Sequence, residues 1–238
     1  MNKGRFIVIE GLDGCGKSTQ IGLLKTYLDG QNIKNVFVHY PRLETGVYGE
    51  LISRFLRGEF GSAAQVHPVL AAVLFAGDRR DNDSSLRNYI KDGYLVLCDR
   101  YIYSNIAFQC AKLKEQKEKD QFTKWILDFE YGHNNILKPD LNIFLNMPLD
   151  FIIKNLTAMR TGGCRDYLRG QKDIHESDLT LQKNVQCEYE KLFDKTTINE
   201  TNITAGNLIS LISIDCFEGG RVLLPQEINK KIIGCALV

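Results

Sequence analysis

A parallel α/β sheet covered by helices on both faces is the architecture this sequence predicts, and three observations predict it. Short apolar runs recur at Phe6–Ile9, Val36–Val38, Tyr94–Cys98, Leu141–Leu145 and Leu211–Ile214, separated by stretches long enough for helices. Strands that are apolar along their whole length are those buried on both faces, and alternation with helices is the mark of a parallel sheet. Residues 11–19 read Gly-Leu-Asp-Gly-Cys-Gly-Lys-Ser-Thr, the pattern G-x-x-x-x-G-K-[ST], directly after the first run. A buried strand, a glycine turn and then a helix is the context that pattern needs. The chain has 238 residues, near the upper size for one hydrophobic core, since chains tend to split beyond ~250–300 residues. One domain over 1–238 is therefore expected.

The elements follow in order. The first strand ends in the glycine turn, and a helix opens behind it. The second run leads into Tyr40-Pro41-Arg42, and the third ends in the charged pair Asp99-Arg100. Helical spacing is clear at Phe122, Trp125, Ile126 and Phe129, and again at Leu181, Val185, Tyr189 and Leu192; both stripes read as core. Pro139 precedes the fourth strand and Pro148 ends it, before a helix from Leu149 to about Met159. Lys112–Lys119, rich in Lys and Glu, reads as a solvated loop. Thr161–Lys172 combines Gly162, Gly163 and Gly170 with Arg165, Arg169 and Lys172, so it reads as a mobile, positively charged segment. Thr196–Asn207 reads as a polar surface connection before the last strand.

Composition excludes several classes. Hydrophobic residues make up 44% and charged residues 25%, an ordinary soluble globular balance, and the formal net charge of +1 provides no general field for nucleic acid or anionic lipid. Any anion must be bound locally. The seven cysteines are odd in number and widely spaced, with no C-x-x-C pair, which points to free thiols in a reducing compartment. Cys15, inside the glycine turn, reads as a small residue that suits a tight bend and has some access to solvent. No apolar stretch approaches the ~20 residues of a membrane span, so a soluble, cytoplasmic protein is expected.

The glycine turn carries phosphate chemistry. Gly11, Gly14 and Gly16 let the backbone close around an anion, with the N–H groups of the turn, including those of Cys15 and Thr19, converging on it. Lys17 is expected to stand exposed and to reach the β- and γ-phosphates, while the Ser18 hydroxyl ligates the bridging Mg²⁺. Asp99, at the end of a neighbouring strand, fits the second metal-facing position, and Arg100 suits a second phosphate. Alone, the pair also reads as a structural ion pair at a strand end. Further arginines gather near turns at Arg42, Arg79, Arg80, Arg160, Arg165 and Arg169. Together with Lys17 and Arg100 they exceed what one nucleotide needs, which indicates two anionic substrates.

At this point the sequence resembles the thymidylate kinase family. The residues that carry the likeness are Glu10–Gln20, Tyr40-Pro41-Arg42, Leu74–Arg79, Asp99–Gln109 and the stretch from Arg160 to Leu192 with Asp173-Ile174-His175-Glu176 and Val185…Tyr189. The resemblance implies a P-loop kinase fold with a five-stranded parallel sheet and a mobile lid at about 160–172. It implies transfer of the ATP γ-phosphoryl group to dTMP with Mg²⁺, in a homodimer. It also implies roles residue by residue. Phe75 stacks on the thymine ring, Arg79 bonds its O4 edge and Asn105 contacts the base. Arg42 and Arg100 hold the acceptor's 5′-phosphate, Asp13 takes the 3′-hydroxyl, and Phe108 lies under the sugar and excludes a 2′-hydroxyl. Some members carry an arginine where this chain has Gly14; the family's other arrangement draws that charge from the lid, here Arg160, Arg165 or Arg169. Adenine contacts are expected near Asp215–Gly220.

Rival readings are weaker. A kinase of another pyrimidine nucleoside monophosphate stays open as the alternative. A GTP-driven switch wants N-K-x-D, and Asn229-Lys230-Lys231-Ile232 lacks the Asp. A nucleic-acid motor wants a basic surface that the near-zero charge does not supply.

Overall fold

The computed structural model describes residues 4–43, 45–158, 166–170, 173–176, 178–194 and 210–237. Strands β1 (Arg5–Glu10), β2 (Asn35–His39), β3 (Leu95–Asp99), β4 (Leu141–Asn146) and β5 (Ser210–Asp215) form one parallel sheet in the order β2-β3-β1-β4-β5. All five predicted strands are present. Phe6, Ile7, Val8 and Ile9 of the central strand are fully buried, each contributing about 1.5–3 kcal/mol of apolar burial. β2 lies at the sheet edge, so its run is only half-buried, with Phe37 exposed.

Helices α1 (Lys17–Gly30), α2 (Gly46–Leu56), α3 (Pro68–Lys91), α4 (Ile102–Cys110), α5 (Gln116–Leu127), α6 (Leu149–Ala158), α7 (Leu179–Leu192) and α8 (Pro225–Ala236) surround the sheet. α1 packs on α8, while α4 packs against both α3 and α7. A smaller apolar cluster of Ile52, Phe55, Leu56 and Ala71 joins α2 to α3 and takes up Phe75, Tyr167 and Ile174 at its border.

Two expectations need correction. Of the stripe Phe122, Trp125, Ile126 and Phe129, Ile126 is buried and Phe122 and Trp125 pack half-buried against the core, so the departure is at Phe129. α5 gives way at Asp128–His133 to a π-helical turn, which changes the angular spacing. Phe129 instead stacks between Trp125, at 5.3 Å, and His133, at 5.7 Å. The second stripe is core at Leu181, Val185 and Tyr189. Lys112–Lys119 is not a solvated loop throughout: Gln116 already opens α5, Lys112 is half-buried over the Phe55 ring, and Lys119 pairs with Glu188 at 2.8 Å. In addition to the expected elements, a hairpin, β6 (Phe217–Glu218) and β7 (Arg221–Val222), follows β5. Its turn residues Gly219 and Gly220 both have positive φ, 59° and 77°, the requirement of a two-residue hairpin.

Of the expected lid, residues 166–170 are described, with a short 3₁₀ turn at Asp166–Leu168. Arg160, Arg165 and the connection at Thr196–Asn207 lie outside the described residues, as does Cys164. Among the described residues no helix is long and apolar enough to cross a membrane.

Candidate active site

Sheet register builds the site. Ile9 of β1 is level with Asp99 of β3, so the glycine turn and the Asp99-Arg100 pair emerge side by side at the carboxyl ends of parallel strands, where open α/β sheets bind ligands. Gly11, Gly14 and Gly16 have φ of 144°, 82° and 96°. At Gly16 a Cβ would meet nothing within 4 Å, so the left-handed backbone itself, not crowding, demands glycine there. α1 starts with no side-chain cap, which leaves its first N–H groups for an anion. Ser18 and Thr19 are exposed at this end, and Asn155 of α6 steadies the turn by donating to the Gly14 carbonyl at 2.8 Å. Cys15 is fully buried, and burial raises its thiol, so the expected access to solvent is absent while the packing reading holds.

Lys17 is not exposed. Its ammonium is 5% exposed and folds back onto the loop, donating to Gly11 O at 3.2 Å and Leu12 O at 2.9 Å, with Asp13 at 3.6 Å and Asp99 at 3.8 Å. Two carboxylates draw it inward. Asp13 also accepts from Arg100 Nη2 at 2.8 Å. Burial alone would raise the Asp13 carboxyl, but the Arg100 and Lys17 cations hold it below the usual range. Asp99 behaves likewise: burial opposes its charge, and Lys17 and His39 outweigh it. The Asp99 Oδ1 atom is buried without a hydrogen-bond partner.

Arg100 has φ of 66°, a left-handed conformation that costs a non-glycine residue on the order of 1–3 kcal/mol and tends to persist at functional sites. Its backbone N–H bonds Ile9 O at 3.0 Å and its Nη1 bonds Ser104 Oγ at 2.9 Å. Behind it stands Glu10, wholly buried, which accepts from Tyr101 N at 2.9 Å, Ser104 Oγ at 2.7 Å and the Tyr189 hydroxyl at 2.9 Å. Burial raises the Glu10 carboxyl despite these bonds. Glu10 thereby ties β1 to α4 and α7 and fixes Arg100 through Ser104, a supporting role that sequence reasoning did not assign.

A cavity of about 320 Å³ opens beside this cluster. Of the expected site residues it is lined by Asp13, Ser18, Arg100, Phe75, Arg79, Asn105 and Phe108. Lys17 and Asp99 do not line it; Asp13, which does, lies 3.6 Å from the Lys17 ammonium. Arg42 does not line it, although Pro41 and Leu43 do; Asp78 holds Arg42 through its backbone N–H at 2.8 Å, Nε at 2.9 Å and Nη2 at 3.0 Å. Arg169 is exposed, with φ of 47°, and stays outside the cavity.

Arg79 is almost wholly paired inside the protein. Glu130 accepts from its Nε at 2.5 Å and Nη2 at 2.6 Å, and Tyr101 O accepts from Nη1 at 3.3 Å. Phe75 meets Phe55 edge to face at 6.1 Å. Phe108 receives the Arg100 guanidinium at 5.2 Å on its ring and stacks on His175 at 5.1 Å. Sequence reasoning quoted Asp173-Ile174-His175-Glu176 without giving it a role. Here Ile174 N bonds Leu56 O at 3.0 Å, docking the segment on α2, and Arg57 holds the backbone of Tyr167 at 2.6 Å. His175 and Tyr167 both line the cavity. Burial, with the Lys112 charge added, holds the His175 imidazole well below its ordinary value.

The Asp215–Gly220 region also borders a cavity. Asp215 and Phe217 line a second, smaller space of about 190 Å³ with Asn146 and Gln186, beyond the carboxyl ends of β4 and β5.

Comparison with known proteins points to one family. The family model described as thymidylate kinase matches residues 9–212. The thymidylate kinase of Plasmodium falciparum is 34% identical over 150 residues, which cover 63% of this chain and 64% of that protein, so the chain spans less than two thirds of that relative. The "Probable thymidylate kinase" of Methanococcus aeolicus is 31% identical over 98% of this chain and 100% of its own length. A solved thymidylate kinase from Candida albicans, reported for its broad substrate specificity, superposes with a TM-score of 0.67 at 22% identity, covering 98% of this chain and 91% of that one. That last likeness is one of fold.

Proposed function

The chain belongs to the thymidylate kinase family, and from that premise we propose that it transfers the γ-phosphoryl group of ATP to dTMP, giving dTDP and ADP. One observation carries the reading: Asp13 and Ser18 of the glycine turn line a single cavity with Arg100, Phe75, Arg79, Asn105 and Phe108, a flat apolar face and polar edges suited to a base.

The chemistry is positioning and charge neutralisation, since the acceptor phosphate oxygen attacks in line and no covalent enzyme intermediate is needed. Gly11, Gly14, Cys15, Gly16, Ser18 and Thr19 offer the loop and helix N–H groups to the donor phosphates. Lys17 exchanges its carbonyl partners for phosphate oxygens. Arg100 bridges Asp13 to the acceptor phosphate, and Arg42 keeps its Nη1 end for the same phosphate while Asp78 fixes the rest. Asp13 takes the 3′-hydroxyl and Phe108 closes the space where a 2′-hydroxyl would sit. The exposed Ser18 hydroxyl and the partnerless Asp99 Oδ1 fit Mg²⁺, a hard cation that takes few protein oxygens. When bound, that ion neutralises phosphate charge. With Gly14 lacking a side chain, the remaining charge on the transferring group falls to a lid arginine, Arg160, Arg165 or Arg169.

The proposal extends to a homodimer in the cytoplasm with no nucleic-acid partner. The described cysteines are free thiols, as a reducing compartment allows. Sedimentation would read the dimer directly. The activity is tested by ADP release with ATP and a panel of nucleoside monophosphates. The highest kcat/KM is expected for dTMP; turnover confined to a different monophosphate would replace the acceptor.

A further inference from the structure

We propose that a cavity at the amino-terminal end of the sheet is a second ligand site, which takes a small organic anion built on a flat ring and tightens acceptor binding at the opposite end. This cavity holds about 420 Å³, against about 320 Å³ for the candidate active site, and no described residue lines both. Phe6, near the start of β1, and Asp140, just before β4, stand in its wall. Open α/β sheets bind their substrates at the carboxyl ends of the strands, so a ligand at this end is an effector and not a reactant.

The wall is arranged for an anion. Arg87 Nε donates to Asp83 Oδ2 at 2.6 Å and Nη2 to Asn135 O at 2.6 Å. Asp83 is itself buried and accepts from Leu137 N at 2.6 Å through its other oxygen. The guanidinium is thus held in place, while its Nη1 takes no acceptor among the described residues. The Lys138 ammonium stands over the Tyr131 ring at 5.4 Å. Against these two cations the wall carries one carboxylate, Asp140, which already accepts from Phe6 N at 2.7 Å. Phe6, Ile90 and Tyr131 supply an apolar floor. An inorganic anion would leave that floor uncovered, whereas a ring packed on it carries its charged group to Arg87 and Lys138.

One segment joins this site to the acceptor end. Arg79, Asp83 and Arg87 recur every four residues on α3 and share a face. Each grips the segment 130–138: Arg79 at Glu130, Asp83 at Leu137 and Arg87 at Asn135. Glu130 also holds Asn105 at 3.1 Å. An anion shared by Arg87 and Lys138 ties α3 to that segment once more, and so steadies the mount of Arg79 and Asn105. This coupling rests on the phosphoryl-transfer reading above; the site itself does not.

Calorimetric titration with phenyl phosphate or benzoate, the candidate active site being kept full with dTMP and ADP, tests the proposal. The wild type is expected to bind at least one of the two ring anions. Inorganic phosphate and phenol, which offer only the anion or only the ring, should bind at least about tenfold more weakly, as should the ring anion to Arg87→Gln or Lys138→Gln, the scale of one charge-assisted hydrogen bond. No binding of either ring anion by the wild type overturns the site, and so does equal binding by both variants. Should Arg87→Gln fail to fold, Lys138→Gln decides alone. With the ring anion saturating, the wild-type dissociation constant for dTMP should fall about fivefold, at the low end of couplings between sites, and stay unchanged in Arg87→Gln. A constant that does not move in the wild type removes the coupling. Absence of dTMP binding to the wild type would defeat the phosphoryl-transfer reading instead, and the titration of wild type and Arg87→Gln without nucleotides would still decide the site.

Discussion

Lys17 sits between two loop carbonyls and two carboxylates, so its substitution acts on charge as well as on phosphate contact. Lys17→Ala is expected to lower kcat by at least 10²–10³, about the effect of removing one preorganised donor, while the protein stays folded. Turnover near wild type in a folded variant would end the phosphoryl-transfer reading. At Phe75 the question is base stacking against plain packing, because the ring borders both the cavity and the Phe55 cluster. Stacking is worth ~1–3 kcal/mol per base, so Phe75→Ala should raise KM for dTMP roughly 5–150-fold and leave KM for ATP nearly unchanged. Equal shifts in both constants, or lost stability with unaltered kinetics, would assign the ring to packing.

Among the elements, the π-helical turn Asp128–His133 has a specific consequence. It buries Glu130 completely, while Asp128 and half-exposed Phe129 stay at the surface, and Glu130 is the anchor for both Arg79 and Asn105. Removing one partner of a buried ion pair costs about 3–5 kcal/mol. Glu130→Ala should therefore lower Tm by about 6 °C or more, at ~2–4 °C per kcal/mol for a chain of this size, and raise KM for dTMP. A Tm within a degree of wild type would show that Arg79 is held by other contacts. For the lid, single Ala replacements at Arg160, Arg165 and Arg169 should identify one position where kcat falls about 10³-fold or more with KM little changed, as for arginine fingers elsewhere. Arg165 or Arg160 is favoured, since both lie nearer the helix that precedes the lid. Three variants with normal kcat would make the lid only a cover.

Across the whole molecule, pH sensitivity follows from groups whose charge the fold disfavours. His175 is buried beside Lys112 and Arg100, with Asp13 as the opposing charge, and its imidazole sits well below 6.5 in the folded state. The unfolded chain binds a proton there that the folded chain refuses, so stability falls as pH drops below about 6.5, by up to ~1.4 kcal/mol per pH unit. Asp13 and Asp99, lowered from 3.8 by their cations, add to the loss only in more acid solution. Glu10 and Asp173, raised by burial, act in the opposite sense and gain stability on acidification. Comparison therefore isolates the histidine: in urea unfolding between pH 7 and 5, His175→Gln should lose up to about 2 kcal/mol less than wild type. Parallel losses in the two proteins would place the acid sensitivity elsewhere.

What the amino-acid sequence determines here is local. Five apolar runs specify the strands, because a chain buried on both faces must be apolar throughout. The spacing of Gly11, Gly14, Gly16, Lys17 and Ser18 specifies the phosphate-binding turn, because few backbones place a lysine and a hydroxyl at a helix start behind positive φ angles. The expected residues Asp13, Phe75, Arg79, Asn105 and Phe108 also meet in one cavity. The tertiary structure decides which partner each charge takes. Arg42 reaches Asp78 across 36 residues and Arg79 reaches Glu130 across 51, and neither pairing has a signature in the spacing. It likewise draws Lys17 inward and half-buries Lys112. Backbone conformation depends on neighbours along the chain, whereas a buried charge takes whichever opposite group the packed elements bring within hydrogen-bond reach.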